Sequence, residues 1–336
     1  MYEMKKIFTV FVLALLIAMV LGASSSVYAP KGGGGKPPED EDPTPADPAI
    51  AYNYGSKTNP YELWVMDADG SHETKVTVPE GLWVYTHSWS PDGTSIALGC
   101  AIINEPGLEI WSIDITVDED GKVQGSNAQQ LLSDKIGNNK VVWSPNGDKI
   151  AFIRTDSLRN EPPFSIWLYD VTDSTTEKIY TDSDDTLQYL TWDPTGTKLA
   201  FIKNSKIIDQ TWYAPEIQMF DITTSIVKTI YTFQQSMFPM SYSGGLDWAN
   251  NDDKLACCNI NNNNNLAIYD ISDDSITTLS QTNYGMSPTW SPDDSKIAYV
   301  YIDSKGKPKQ YIRTIDVSTE EISTLGEGSV PDWCIV

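Results

Sequence analysis

Histidine is nearly absent from this 336-residue chain; only His72 and His87 occur. Neither has the His-x-His or His-Glu-x-x-His spacing that presents two imidazoles to one zinc ion. There is no Gly-x-Ser-x-Gly elbow and no following α/β region, so the nucleophile of an α/β-hydrolase has no seat here. A Gly-rich phosphate loop is missing too. Basic residues are scarce: 23 Lys and Arg stand against 46 Asp and Glu, a formal charge of −23. That balance argues against nucleic acid and anionic lipid as partners, because both need a positive surface. Beyond the N-terminal segment no stretch repeats its apolar residues with a helical period, which points to an all-β domain.

What the chain does have is a repeat. Trp89-Ser90-Pro91-Asp92-Gly93 leads to Ile96-Ala97-Leu98, and Trp143-Ser144-Pro145-Asn146-Gly147 leads to Ile150-Ala151-Phe152. Trp192, Trp248 and Trp290 open three further copies, and the small apolar triplet always begins seven residues after the Trp. Pro presets φ, Asp bonds its own backbone and Gly accepts positive φ, so each copy is a tight turn between two antiparallel strands. A third strand follows and ends in Asp, as in Ile110–Asp114, Ile166–Asp170 and Ile312–Asp316. A short fourth strand, such as Lys178-Ile179-Tyr180, completes the unit. Four-stranded units repeated at this period make a β-propeller.

The ends of the repeat complete one another. Ile50-Ala51-Tyr52 is the triplet with no Trp before it, and Trp333 is a Trp with no triplet after it. The sequence therefore predicts six blades over 49–336, with the first blade taking its inner strand from the C-terminus. Cys100 and Cys334 fall in neighbouring blades, where a disulfide would lock that closure; the alternative is that both are free. Cys257 occupies a triplet slot filled elsewhere by Phe or Tyr and reads as a small core residue. None of the four cysteines has zinc spacing.

Residues 1–29 read as a secretory signal: Lys5 and Lys6 precede an apolar run from Ile7 to Leu21, and Val27-Tyr28-Ala29 offers a cleavage site. The alternative is an uncleaved N-terminal anchor. Residues 30–48 hold Gly, Pro and acid with no apolar side chain larger than Ala, a linker that buries nothing. The expectation is an exported protein in the periplasm, outside the cell or on its surface. It is not inserted in the membrane after signal cleavage, and it is a monomer.

Strand alternation divides the loops between two faces. The first-to-second and third-to-fourth turns share one face and have repetitive sequences. The other face collects dissimilar segments rich in aromatics and Met: Trp83, Tyr85, His87, Trp212, Tyr213, Phe238, Met240, Tyr242 and Tyr284. Aromatic and Met side chains around one channel mouth suit a protein or peptide contact. Glu80, Asp182, Asp184 and Asp185 nearby would favour a basic partner. The rival reading is a secreted lyase or glycosidase using acid pairs at the mouth. No cofactor is expected. Asp67-Ala68-Asp69-Gly70 and Asp118-Glu119-Asp120-Gly121 resemble calcium loops, but each lacks the later bidentate Glu and falls where the repeat needs a turn. The Asn-rich run 259–265 reads as a polar loop.

The W-S-P-D-G-x-x-I-A-F pattern with its Asp-terminated third strand resembles the TolB-type propeller repeat over essentially all of 49–336. The resemblance implies a non-catalytic exported propeller that binds another macromolecule. TolB proteins carry an α/β domain before the propeller, and here the linker 30–48 stands in its place. N-terminal sequencing of the exported protein should start between Ser24 and Lys31, whereas an intact Met1 on a cytosolic protein would overturn the export reading.

Overall fold

The computed structural model describes residues 49–335, apart from 56–60, 103–106, 108, 120–121, 134–136, 156–160, 208–211, 234–244, 260–264, 284 and 305–307. The signal expected at 1–29 and the linker at 30–48 lie outside the described residues.

Each copy of the repeat folds as one antiparallel sheet of four strands, and six such sheets form a propeller. The first blade joins β1 (Ile50–Tyr54), β2 (Glu62–Met66) and β3 (Thr74–Lys75) to β24 (Ser329–Trp333), its inner strand. The second holds β4 (Leu82–Trp89), β5 (Ser95–Ile102), β6 (Glu109–Val117) and β7 (Val123–Leu132). The third holds β8 (Gly137–Trp143), β9 (Lys149–Thr155), β10 (Phe164–Asp170) and β11 (Thr175–Asp182). The fourth holds β12 (Thr186–Trp192), β13 (Lys198–Ile207), β14 (Trp212–Asp221) and β15 (Ile226–Thr232). The fifth holds β16 (Leu246–Trp248), β17 (Lys254–Asn259), β18 (Asn265–Asp270) and β19 (Ser275–Leu279). The sixth holds β20 (Met286–Trp290), β21 (Lys296–Asp303), β22 (Lys309–Asp316) and β23 (Ile322–Glu327). As the repeat predicts, the C-terminal strand closes the ring: Ile50 pairs with Trp333 and Ala51 with Asp332.

The repeat's residues explain its geometry. In the first-to-second turns Gly93, Gly147 and Gly196 sit at φ of 68°, 78° and 67°, where a side chain would be strained. Their amides donate to Ser90, Ser144 and Asp193 carbonyls at 2.9–3.0 Å. The triplets bury completely on both sides of each blade, because both faces of a blade meet a neighbour: Ile50, Ala51, Ile96, Ala97, Ile150, Ala151, Leu199 and Ala200 have no exposure. Asp170, Asp221, Asp270 and Asp316 each accept amides two or three residues ahead, which spends their carboxylates on the third-to-fourth turn. Of the two calcium-like loops, Asp69 accepts the Ser71 amide and Asp118 the Lys122 amide, as turn residues do. Asn259, the last residue of β17, pairs with Asn265, the first of β18, and 260–264 lie outside the described residues.

The seams between blades share one device. The residue before each Trp reaches round the channel to the Trp backbone N–H of the next blade. Asp332 accepts from Trp89 at 2.8 Å, Ser88 from Trp143 at 3.0 Å, and Thr191 from Trp248 at 3.1 Å. Asp247 accepts from Trp290 at 2.8 Å and Thr289 from Trp333 at 3.3 Å, which brings the circuit back to the first blade. The sixth position is Val142, whose side chain cannot accept from the Trp192 amide; the Trp192 indole donates to the Val142 carbonyl at 3.2 Å, as the Trp290 indole does to the Asp247 carbonyl at 3.3 Å.

No disulfide joins Cys100 and Cys334; all four cysteines are buried thiols outside any disulfide. Cys100 pairs with Val84, four residues along β5 from Ile96, the partner of Trp89. Cys334 follows Trp333, at the level of Trp89 in its own blade. Four strand residues span roughly 13 Å, well past the roughly 4.4–6.8 Å between Cα atoms that a disulfide takes. Cys257 is core, as expected, and Cys258 beside it is buried too.

Two outcomes test this account. Deleting 329–336 should lower the melting temperature sharply, since the buried Trp333 alone is worth about 3 kcal/mol or more; a deletion that melts like the parent would refute the closure. Val142→Thr supplies the missing acceptor and should raise stability by about 0.5–1.5 kcal/mol in a denaturant melt.

Candidate functional site

Each inner strand begins on the face of the variable connections and ends, at its Trp, on the face of the tight turns. Five of the six break register on the way. In four the break carries a left-handed residue three positions before the Trp: Lys140 (φ 22°), Tyr189 (54°), Ser287 (49°) and Val330 (51°). A β-branched residue such as Val330 is costly there. Bulges of this kind bend a strand and re-aim a side chain. In β4 the residue left out of register is Tyr85.

Tyr85 belongs to an aromatic cluster at the variable-face mouth, between the first and second blades. Tyr61, just before β2, lies 4.4 Å from Tyr85 and 5.8 Å from Trp83, ring centre to ring centre. All three are half-buried. Burial pushes the Tyr85 hydroxyl up to about 12, with Tyr61 adding to the effect. The Trp83 indole N–H is buried and meets no acceptor among the described residues. Asn53 on β1 fastens the cluster from beneath, donating to the carbonyls of Val84 at 2.9 Å and Tyr85 at 3.3 Å.

The structure revises the sequence reading of this region. Trp83, Tyr85 and His87 are strand residues, not loop residues, because Leu82 and Val84 alternate inward and pull the segment into β4. His87 leaves the mouth altogether: it pairs with Leu98, has no exposed surface and cannot touch a partner. Trp212 and Tyr213 open β14 opposite Ile207 and Lys206, at the variable-face end of the fourth blade. Phe238, Met240, Tyr242 and Tyr284 lie outside the described residues. Tyr61 was missed because it sits alone after a polar stretch. Asp182 and Asp185 are not free attractants, since Lys203 bridges both at 2.9 and 3.1 Å. Burial opposes ionisation of Asp182, yet Lys203 and the amides of Asp184 and Asp185 outweigh it and hold the carboxyl below its ordinary range. Glu80 and Asp184 remain exposed.

Further down the channel, three charges come from alternating blades. Asp332 and Asp247 keep part of their surface towards the channel although protein surrounds them. Burial raises Asp247 to about 7 and Asp332 to about 6, and Lys140 pulls both back. Sequence reading missed this group, because nothing marks the residue before a Trp until the ring is built. Among the described residues no three His, Cys, Asp or Glu come together as a metal site.

These features can be set beside known proteins. The model of the TolB beta propeller domain matches residues 49–334. The chain belongs to the TolB beta propeller family. The Tol-Pal system protein TolB of Alcanivorax borkumensis is 31% identical over 134 residues, which is 39% of this chain and 30% of that relative. The chain thus spans less than a third of the relative's length in that match. Among solved structures, TolB from Acinetobacter baumannii superposes with a TM-score of 0.63 at 21% identity, covering 85% of this chain and 66% of that one. An oligogalacturonate lyase in complex with manganese gives 0.51 at 15% identity, covering 84% and 74%. At such identities the two structures establish the shared propeller alone.

Asn53→Ala should destabilise this TolB-type propeller by about 1–3 kcal/mol, since two carbonyls at the mouth lose their buried donor; a denaturant melt reads it.

Proposed function

We propose that this TolB-type propeller is an exported, non-catalytic binding protein whose partner, a protein or peptide, docks at the variable-face mouth on Tyr61, Trp83 and Tyr85. The observation that supports it most is the cluster itself. Three aromatic rings pack against one another at one mouth, each with part of its surface still exposed. Aromatic anchors of this kind carry most of the energy in protein interfaces. The naming of the Alcanivorax relative as a Tol-Pal system protein agrees with a role in an assembly. The net charge of −23 and the exposed Glu80 favour a basic partner, and such an association weakens with salt.

The rival reading, an enzyme acting on polysaccharide, draws on Asp247 and Asp332, two carboxylates raised above their ordinary range in one channel. Likeness to the lyase reaches only the fold, so it adds nothing to that reading.

The test is affinity capture on the full chain from envelope extract, followed by titration of the captured partner. Trp83→Ala and Tyr85→Ala should each weaken binding at least about tenfold, or 1.4 kcal/mol, with the ring still folded. Asp92→Ala and Asn146→Ala, on the turn face, should bind normally. The reverse pattern would put the partner on the other face. Sustained turnover of a glycan, abolished by Asp247→Asn, would replace binding with catalysis.

A further inference from the structure

The aromatic cluster at the mouth offers surface but no enclosure. Its backbone is tied across the seam of the first two blades: the Val84 N–H donates to the Tyr61 carbonyl at 3.0 Å, beside the two bonds from Asn53. The rings touch, with centres 4.4 and 5.8 Å apart and planes tilted by 39° and 46°. No ligand group fits between rings this close, so only their outer surfaces are open to a partner. A quaternary ammonium, which binds inside an open box of rings, has no place here. The turn 79–82 leads into β4 and carries the exposed Glu80; the Leu82 amide closes it on the Pro79 carbonyl at 3.3 Å. Lys75, the cation of the first blade's outer strand, is already engaged with Glu62 at 2.9 Å. Elsewhere the chain shows what it sets against its own rings. Both arginines among the described residues lie over an aromatic face, Arg154 over Trp167 at 4.9 Å and Arg313 over Tyr301 at 3.5 Å.

Building on the reading of this mouth as the docking face, we propose that the partner anchors there with an arginine side chain, its guanidinium laid flat on the exposed surface of Tyr61, Trp83 and Tyr85. An aromatic face is electron-rich and attracts a cation set over it. The guanidinium is planar, so it matches an outer ring surface, and it is weakly hydrated, so it gives up little water on contact. The lysine ammonium is compact and strongly hydrated and gives up more. Glu80 and the formal charge of −23 draw the same cation in from a distance. That longer-range attraction is screened by salt, whereas the stacked contact acts at short range and is screened much less. An apolar anchor would use the rings and gain nothing from Glu80, and an acidic one would be repelled by it. Arginine is the side chain that uses both.

Fluorine NMR of the full chain labelled with fluorotryptophan reads the contact. Trp83 is one of 11 tryptophans, and Trp83→Phe identifies its resonance. The probes are a capped Gly-Arg-Gly-Arg-Gly peptide and its lysine and citrulline counterparts. Lysine keeps the charge without the plane, and citrulline keeps the plane without the charge. The arginine peptide should shift the Trp83 resonance saturably, binding at least about fivefold tighter than the lysine peptide and about tenfold tighter than the citrulline peptide. Tyr85→Leu should weaken the arginine peptide about fivefold. Glu80→Gln should weaken it about threefold at low salt and leave it unchanged at high salt. The other tryptophan resonances show that each variant is folded; should Tyr85→Leu fail to fold, the three peptides on the parent still decide. Equal affinity for the three, or a Trp83 resonance that the arginine peptide does not move, would overturn the arginine anchor. The docking face is judged separately, by whether Trp83→Ala weakens the captured partner. A loss there with no arginine preference here keeps the face and removes the anchor.

Discussion

Everything in this molecule depends on a strand pair made between residues far apart in the chain. Ile50 meets Trp333, and Ser329 donates to Asn53 across 276 residues. A ring of blades is stable only when it is complete, because each blade buries both of its faces on neighbours and an incomplete ring leaves two faces wet. The polar clasps follow the same circuit. Five of six inner strands hand a side-chain acceptor to the next blade's Trp amide, so seams are tied on the channel side by hydrogen bonds and on the outer side by apolar packing. At Val142 the side-chain acceptor is missing, and the indole bond of Trp192 to its carbonyl, matched at Trp290 and Asp247, does not replace it.

The ring was legible because its repeat obeys local rules. Turn chemistry fixes the first hairpin, the Asp that ends the third strand fixes the second, and the orphan halves at Ile50 and Trp333 declare the closure. The site was legible only in part. Trp83 and Tyr85 were found from their aromatic character, but their strand was mistaken for a loop because Leu82-Trp83-Val84-Tyr85 lacks the Trp-turn-triplet marks of the repeat. His87 shows the cost of that error. One residue of register in a strand exchanges an exposed side chain for a buried one, and no property of histidine itself announces which. The clasp residues were invisible for another reason. Asp, Ser, Thr and Val share no chemistry, and what they have in common is a position that exists only in three dimensions.

Charge tells a similar story. A formal −23 suggests a broad negative surface, yet many of the acids are already engaged. Asp170, Asp221, Asp270 and Asp316 are bound to their own turns, Asp182 and Asp185 to Lys203, and Asp247 and Asp332 to tryptophan amides. Composition counts carboxylates, while electrostatics depends on which of them still face water. The channel acids invert the usual expectation, since burial pushes their carboxyls up while turn hydrogen bonds pull the Asp316 carboxyl down.

The placement of the closing strand also sets an order of events during folding. β1 is made early, and its partner is made last. Until residues 329–333 have emerged, Ile50-Ala51-Tyr52 presents an apolar strand with one open edge, the kind of surface that recruits other chains. Blades two to six can form from contacts near in sequence, but the final joining waits on the longest loop closure in the molecule, which is slow by its entropy. The nascent ring therefore passes through a state that is nearly complete and still adhesive, and a chaperone or a fast export route would be needed most at that stage.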